Sequence, residues 1–309
     1  MDYANALAES MEPPVRVLQF DRSQPPSVEG DVVLLHYSGY GYARYGAPMH
    51  LLAWVKRNKP GMKRFSVFFH ELYAQSRSPL SSVFWATPVQ RHVAAQLARA
   101  SDSWITALER SVAWLHDHDT PGKPCLHLQV PSNIGELSEM SSDGRKAALV
   151  VFGTELVRAT AWRAGGERLL QWARDSGIAL HDIGSPIRDA SLAATLKAHG
   201  AVCHGRLESP AIQAIMRSSS YGVTSYPRDF VGKSGVFAAY CANGLAPVLL
   251  SGNQGSFEKL VAGEHYFDGI PATNPSPREA DRVARAAFDW YQGHRVATHV
   301  EKISNLLRA

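Results

Sequence analysis

Short apolar runs alternate with stretches of helical periodicity along almost the whole chain. Asp31-Val-Val-Leu-Leu-His36 and Phe65-Ser-Val-Phe-Phe69 read as buried strands. Between them, residues 43–57 read as a helix with Leu51, Leu52 and Val55 on one face. Thr87-Pro88 offers an N-cap and a proline at the first helical position, ahead of Val89, Val93 and Leu97. Trp104-Ile-Thr-Ala107 and a run from Cys125 to Val130 predict two more strands, separated by a short helix from Glu109 to Leu115.

Residues 131–144 are polar and break the pattern, so they read as a linker. The alternation then restarts. Ala148-Leu-Val-Val-Phe152 ends in Gly153, and the strand from Ile178 to Ile183 ends in Gly184. Asp189 opens a helix closed by Gly200, and Ser209-Pro210 opens another with Ile212, Ile215 and Met216 buried. Val202-Cys-His204, Tyr221-Gly-Val-Thr224 and Ala246-Pro-Val-Leu-Leu250 are strands, with a helix from Ser234 to Ala242 ended by Gly244. Ser276-Pro-Arg-Glu279 is a capping box, and Val296, Val300, Ile303 and Leu307 mark a last helix.

Apolar strands alternating with helices imply parallel sheets covered on both faces. Two such series predict an α/β protein with two Rossmann-like, doubly wound domains, 1–135 and 145–309, facing across a cleft. Ligands of such sheets sit beyond the carboxyl ends of the strands. The 309 residues suffice for two domains, and the 45% apolar content excludes a disordered chain. The excess of 32 Lys and Arg over 28 Asp and Glu suits an acidic small molecule or a loose hold on an anionic membrane surface, not a dedicated nucleic-acid binder. No apolar run is long enough to span a membrane, and the N-terminus has no secretion-signal pattern. Cys125, Cys203 and Cys241 are few and far apart, which excludes a disulfide framework and makes the cytoplasm the default compartment.

Five stretches in this order resemble the GT-B fold glycosyltransferases of the group 1, family 4-like type: VVLLHYSGYGYARYGAP (32–48), FSVFFHELYAQ (65–75), SSVFWATPVQR (81–91), LVVFGTELVRA (149–159) and VGKSGVFAAYCANGLAPVLL (231–250). The resemblance implies a metal-independent, retaining hexosyl transfer from a nucleotide sugar to a glycan or lipid-linked acceptor in polysaccharide biosynthesis. The nucleotide sugar is a substrate and no cofactor is needed. It also implies a last helix crossing back to the first domain. Such enzymes begin with a strand and a glycine-rich turn. Here residues 2–8 look like the helix that follows, so the first strand is expected to be missing.

Gly232-Lys-Ser-Gly235 lies between a strand and a helix, where backbone N–H groups and a cation can hold a diphosphate. The P-loop spacing fails, because Pro227 stands where the first glycine belongs. A helix start with a solvated lysine is the plainer reading. The two glutamates of the resembling family would fall near Val231 and Ala239, and neither position is acidic; Asp229 is the nearest carboxylate. His70 and Glu71 end the strand FSVFF and are the catalytic candidates, because the family's residue at this place contacts the transferred sugar. HELYA is not HExxH, so no zinc-protease motif exists there. Tyr40, Gly41 and Tyr42, in a loop with Ser38, Arg44 and Gly46, suit acceptor stacking or a plain tight turn.

Gly153 and Arg158 follow the first strand of the second domain, where the family neutralises the donor diphosphate; an exposed helix arginine is the alternative. Gly252-Asn-Gln-Gly-Ser256 reads as a plain loop that could touch the nucleotide. His116-Asp-His-Asp119 lacks further ligands for a metal and reads as a solvated loop, so no metal site is assigned. Trp54, Trp85, Trp104 and Trp114 read as packing residues. The competing functions are a degenerate scaffold that binds a glycan or partner protein without turnover, and a sugar-nucleotide epimerase. The base, sugar, acceptor and oligomeric state stay open.

Overall fold

The computed structural model describes residues 3–12, 15–74, 78, 80–141, 144–251 and 257–308. Two compact units result, Met1–Gln129 with Val296–Ala309, and Val130–Arg295. The polar stretch read as a linker therefore starts the second unit, and the last helix belongs to the first.

The first unit runs α1 (Tyr3–Ser10), β1 (Val32–Tyr37), the one-turn α2 (Gly39–Tyr42), α3 (Met49–Asn58), β2 (Arg64–Phe69), α4 (Ser82–Ala100), β3 (Ser103–Thr106), α5 (Glu109–His118) and β4 (Cys125–His127). Its four strands pair in parallel in the order β1-β2-β3-β4. β2 is buried almost throughout, whereas the edge strand β1 leaves Val32 exposed. Leu51, Leu52 and Val55 of α3 and Val93 and Leu97 of α4 pack with Phe65, Val67 and Phe69 of β2.

Two boundaries differ from the sequence pattern. The expected helix 43–57 starts only at Met49, because Gly46 takes a left-handed φ of 67° and Pro48 occupies the cap. α4 begins six residues before Pro88. Ser81 caps it by accepting from the Val83 amide at 3.2 Å, and the Thr87 hydroxyl bonds the Val83 carbonyl at 2.7 Å, beside the position where the proline lacks a donor.

The second unit runs β5 (Lys146–Phe152), α6 (Glu155–Asp175), β6 (Ala179–Ile183), α7 (Ala190–Ala198), β7 (Val202–Gly205), α8 (Ser209–Ser218), β8 (Ser219–Thr224), a 3-10 turn Arg228–Lys233, α9 (Gly235–Ala242), β9 (Ala246–Leu249), β10 (Phe267–Asp268) and α10 (Pro277–Gln292). α11 (Val296–Arg308) returns to the first unit, where its Arg308 donates to the Glu12 carbonyl at 3.1 Å. All pairs in the second sheet are parallel, in the order β10-β9-β8-β5-β6-β7. Caps follow the expected chemistry: Asp189 accepts from two α7 amides at 3.1 Å, and Ser276 accepts from Glu279 at 3.2 Å. Gly222 packs against the Tyr240 ring so closely that a Cβ would lie 2.3 Å from Cγ.

Candidate functional site

Strand order in the second sheet reverses between β5 and β8. One series steps away through β6 and β7, the other through β9 and β10. The loops leaving the carboxyl ends of β5 and β8 diverge at such a switch point, which makes a crevice there. Gly153 leaves β5 with φ 128°, and a Cβ on it would sit 3.1 Å from Val236 Cγ2 of α9. The glycine thus lets the β5 loop lie directly against the start of α9. Thr154 caps α6 by accepting from the Val157 amide at 3.5 Å.

Ser234 caps α9, its hydroxyl accepting from the Phe237 amide at 3.2 Å, and is itself 3% exposed. Gly235 and Val236 hold the first-turn N–H groups that a helix does not use itself. Half-buried Lys233 precedes them, with Nζ 5.1 Å from the Phe230 ring centre. Arg228, at the start of the same turn, is buried, ion-paired with Asp268 of β10 and 5.4 Å from the Tyr266 ring. That pairing anchors the turn that carries Lys233 to the sheet.

The polar stretch before β5 also reaches this place. The Val130 amide donates to the Gly232 carbonyl at 2.8 Å, and Leu137 to the Ala242 carbonyl at 3.1 Å. Asn133 is exposed, with Oδ1 3.8 Å from where a Gly235 Cβ would be. Tyr291 of α10 holds the stretch, accepting from the Ser132 amide at 2.7 Å and donating to Glu136 at 2.6 Å. Burial beside the Glu136 carboxylate pushes the Tyr291 phenol far up, so it stays protonated.

In the first unit, His36 is the penultimate residue of β1 and His70 follows β2. Their rings meet at 3.0 Å between Nδ1 and Nε2, and His70 stacks on Phe68 with centroids 4.4 Å apart. Glu71 is half-buried beside them. Tyr42 donates to the His36 carbonyl at 2.8 Å and packs near Tyr37 and Phe20; burial lifts its phenol to about 12. Tyr40 is exposed, as is Gly41. Gln90, fully buried in α4, accepts from the Ala74 amide at 2.7 Å and donates to the Tyr45 carbonyl at 2.7 Å and the Tyr40 hydroxyl at 3.4 Å. It ties the loops after β1 and β2 to one helix.

No family model and no curated protein matches the sequence. Among solved structures, the chain is similar to the pneumococcal O-GlcNAc transferase GtfA in complex with UDP and GlcNAc: 12% identity, 86% of this chain, 60% of that one, TM-score 0.53. It is similar to the trehalose 6-phosphate synthase of Burkholderia multivorans, with 14% identity, 89% and 69% coverage and a TM-score of 0.55. It is also similar to a putative UDP-N-acetylglucosamine 2-epimerase from Listeria monocytogenes, with 12% identity, 90% and 73% coverage and a TM-score of 0.53. The fold is GT-B. The chain spans less than two thirds of the length of GtfA.

Within this GT-B fold the expected site residues separate into two groups. Gly153, Gly232, Lys233, Ser234 and Gly235 come together at the switch point of the second sheet. Arg158 does not join them as a diphosphate ligand. It is 0% exposed, ion-paired with Asp182, and donates to the Gly153 carbonyl at 3.1 Å and to the Ser185 carbonyl. A guanidinium spent on three inward acceptors braces the β5 and β6 loops. Tyr42 likewise spends its hydroxyl on backbone. Ala239 and Val231, 0% and 2% exposed, pack in apolar clusters, so neither position faces the crevice.

The loop 252–256 lies outside the described residues. In the 116–119 run, His118 meets the Trp114 carbonyl at 2.8 Å, and Asp119 accepts from Trp104 Nε1 at 2.6 Å. Among the described residues no group of three or more His, Cys, Asp or Glu could hold a metal, and no helix is long and apolar enough to cross a membrane. Trp104 is core and Trp54 nearly so, but Trp85 is 70% exposed. Asn133, Gln90 and His36 were not singled out by sequence. His36 alone left a signal, a strand-end histidine before a glycine- and tyrosine-rich turn.

Proposed function

We propose that the chain is a glycosyltransferase that moves a sugar from a nucleotide-sugar donor to a glycan or lipid-linked acceptor. The observation that carries the reading is the convergence of Gly153, Lys233, Ser234 and the amides of Gly235 and Val236 at the switch point of a GT-B sheet. In the reaction the bond from the anomeric carbon to the diphosphate oxygen breaks and a bond to an acceptor oxygen forms. The acceptor hydroxyl gives up its proton and a nucleoside diphosphate leaves. The difficulty is the negative charge on that leaving group. Lys233 and the two amides supply a fixed positive field where it develops, which needs no reorganisation during the step.

The first unit takes the acceptor, and His70 is its sugar-contacting residue. The bond between the two imidazoles orients the His70 ring, whose nitrogens are of the kind that hydrogen-bonds a sugar hydroxyl. Tyr40 is the aromatic face offered to the acceptor, with Gly41 beside it. Stereochemical retention is part of the proposal.

A second reading, nucleotide-sugar binding without turnover, is favoured by the burial of Ala239 and Val231 among apolar side chains, because no carboxylate stands at either position. Incubation with UDP- and GDP-sugars separates the two. Transfer predicts release of nucleoside diphosphate that rises with added glycan acceptor and is lost in His70→Ala. Tight binding with no release in any combination supports the scaffold.

A further inference from the structure

The second unit has a cavity at the end of its sheet opposite the crevice. Its volume is about 240 Å³, and it lies where β5 and β8 begin, between the end of α6 and the first two turns of α10. The lining residues fall between Met140 and Ala284, so the cavity belongs to one unit. Along β5, Ala147 lines the cavity and Gly153 borders the crevice. At about 3.3 Å per residue the two places are about 20 Å apart, too far for one sugar ring to occupy both.

Tyr221 is the informative residue. It lines the cavity, is 4% exposed, and its hydroxyl has no hydrogen-bond partner among the described residues. Its ring meets Trp172 edge to face, with centroids 5.2 Å apart. Burial and then the Glu279 carboxylate raise the phenol above its usual range, which puts the hydroxyl near the first turn of α10, at the cavity. A polar group this withdrawn from solvent is costly unless something bonds it. The space beside it is far larger than the roughly 30 Å³ of one water.

The rest of the lining narrows the chemistry. Ser176, Ser220 and the exposed Asn274 each carry both donor and acceptor capacity. Ile178, Ala280 and Ala284 are buried and apolar. Charge is balanced. Arg145 donates to the Ser141, Ser219 and Asn243 carbonyls at 3.1, 2.7 and 2.9 Å and is near Asp281, which lies 3.7 Å from Arg285. Neither charge is offered alone, so an ionic ligand gains little there. Hydroxyl and amide partners around apolar carbons suit a cyclic polyol. The volume is below the roughly 300–1,000 Å³ of drug-sized sites, which limits the ligand to about one ring.

We infer that this cavity binds one neutral pyranose ring, as a free monosaccharide or as the end of a glycan, with the Tyr221 hydroxyl bonded to one of its hydroxyls. The site shares no residue with the crevice and does not depend on the transfer reaction.

Calorimetry and saturation-transfer NMR on the full chain test it, with glucose, mannose and N-acetylglucosamine, and with maltotetraose, mannotetraose and chitotetraose. At least one of these sugars should bind. Tyr221→Phe keeps the ring and removes only the hydroxyl, so it should weaken binding at least fivefold with unchanged melting. Asn274→Trp fills the rim from an exposed position and should abolish binding. Saturating UDP and Lys233→Ala should leave it unchanged, which separates this site from the crevice. A free sugar that binds as tightly as its tetrasaccharide identifies a small-molecule ligand, and a tighter tetrasaccharide identifies a hold on a glycan end. Absence of binding by all six sugars overturns the proposal. So does binding that either cavity variant leaves intact, that UDP displaces, or that the corresponding sugar phosphate exceeds tenfold.

Discussion

Asp182→Ala separates a bracing role for Arg158 from a ligand-binding one. Asp182 is 3% exposed and its carboxylate takes both the Arg158 guanidinium and Trp162 Nε1, the latter at 2.9 Å. Alanine leaves a fully buried guanidinium without its counter-charge and an indole N–H without an acceptor. Removing one partner of a buried ion pair costs about 3–5 kcal/mol. For a unit of this size each kcal/mol moves the melting temperature by about 2–4 °C, so the second unit should melt roughly 6–20 °C lower. Circular dichroism on heating reads this directly. Replacing both partners, Arg158→Met with Asp182→Leu, removes the isolated charge and should recover at least half of the loss. That double variant should also keep its nucleoside diphosphate affinity within about threefold, since the guanidinium faces inward. A shift below about 2 °C for the single variant would refute the energetic argument. A large affinity loss in the stable double variant would return Arg158 to the diphosphate.

Gly222→Ala should destabilise the second unit by about 3 kcal/mol or more, because the Tyr240 ring is fixed by bonds from its hydroxyl to the Val223 carbonyl and from the Phe152 amide; denaturant titration checks it. Ser234→Ala removes the α9 cap and should cost about 1 kcal/mol while weakening nucleotide binding, read by melting with and without ligand. His299 is fully buried in α11, and desolvation lowers its folded pKa from 6.5 to about 4. The unfolded chain therefore binds the proton first. Stability is full above about pH 6.5 and falls as pH drops toward 4, by up to roughly 3 kcal/mol, and His299→Gln should flatten that slope in urea titrations across the window.

The layered architecture was legible because parallel strands buried on both faces read as apolar runs, and because Asp189, Ser234 and Ser276 announce the helices they cap. The two-residue β10 was not, since Phe267-Asp268 carries no periodicity. The polar composition of 131–144 suggested a free linker. Its hydrogen bonds to Ala242 and Tyr291 are long-range and leave no local trace. At the candidate site, the glycines and the Lys-Ser pair were readable from local chemistry. The inward turn of Arg158 was not, because its partner lies 24 residues away in a strand. Asp182 within Ala-Leu-His-Asp-Ile was the available hint, since a carboxylate in a buried strand demands a cation.

Calorimetric titration of UDP and GDP into the full chain, repeated with Lys233→Ala, tests the account most directly. It predicts that one of the two nucleotides binds at a single site and that the variant binds it at least tenfold more weakly with unchanged melting. Equal affinity in the variant, or no binding of either nucleotide, would contradict it.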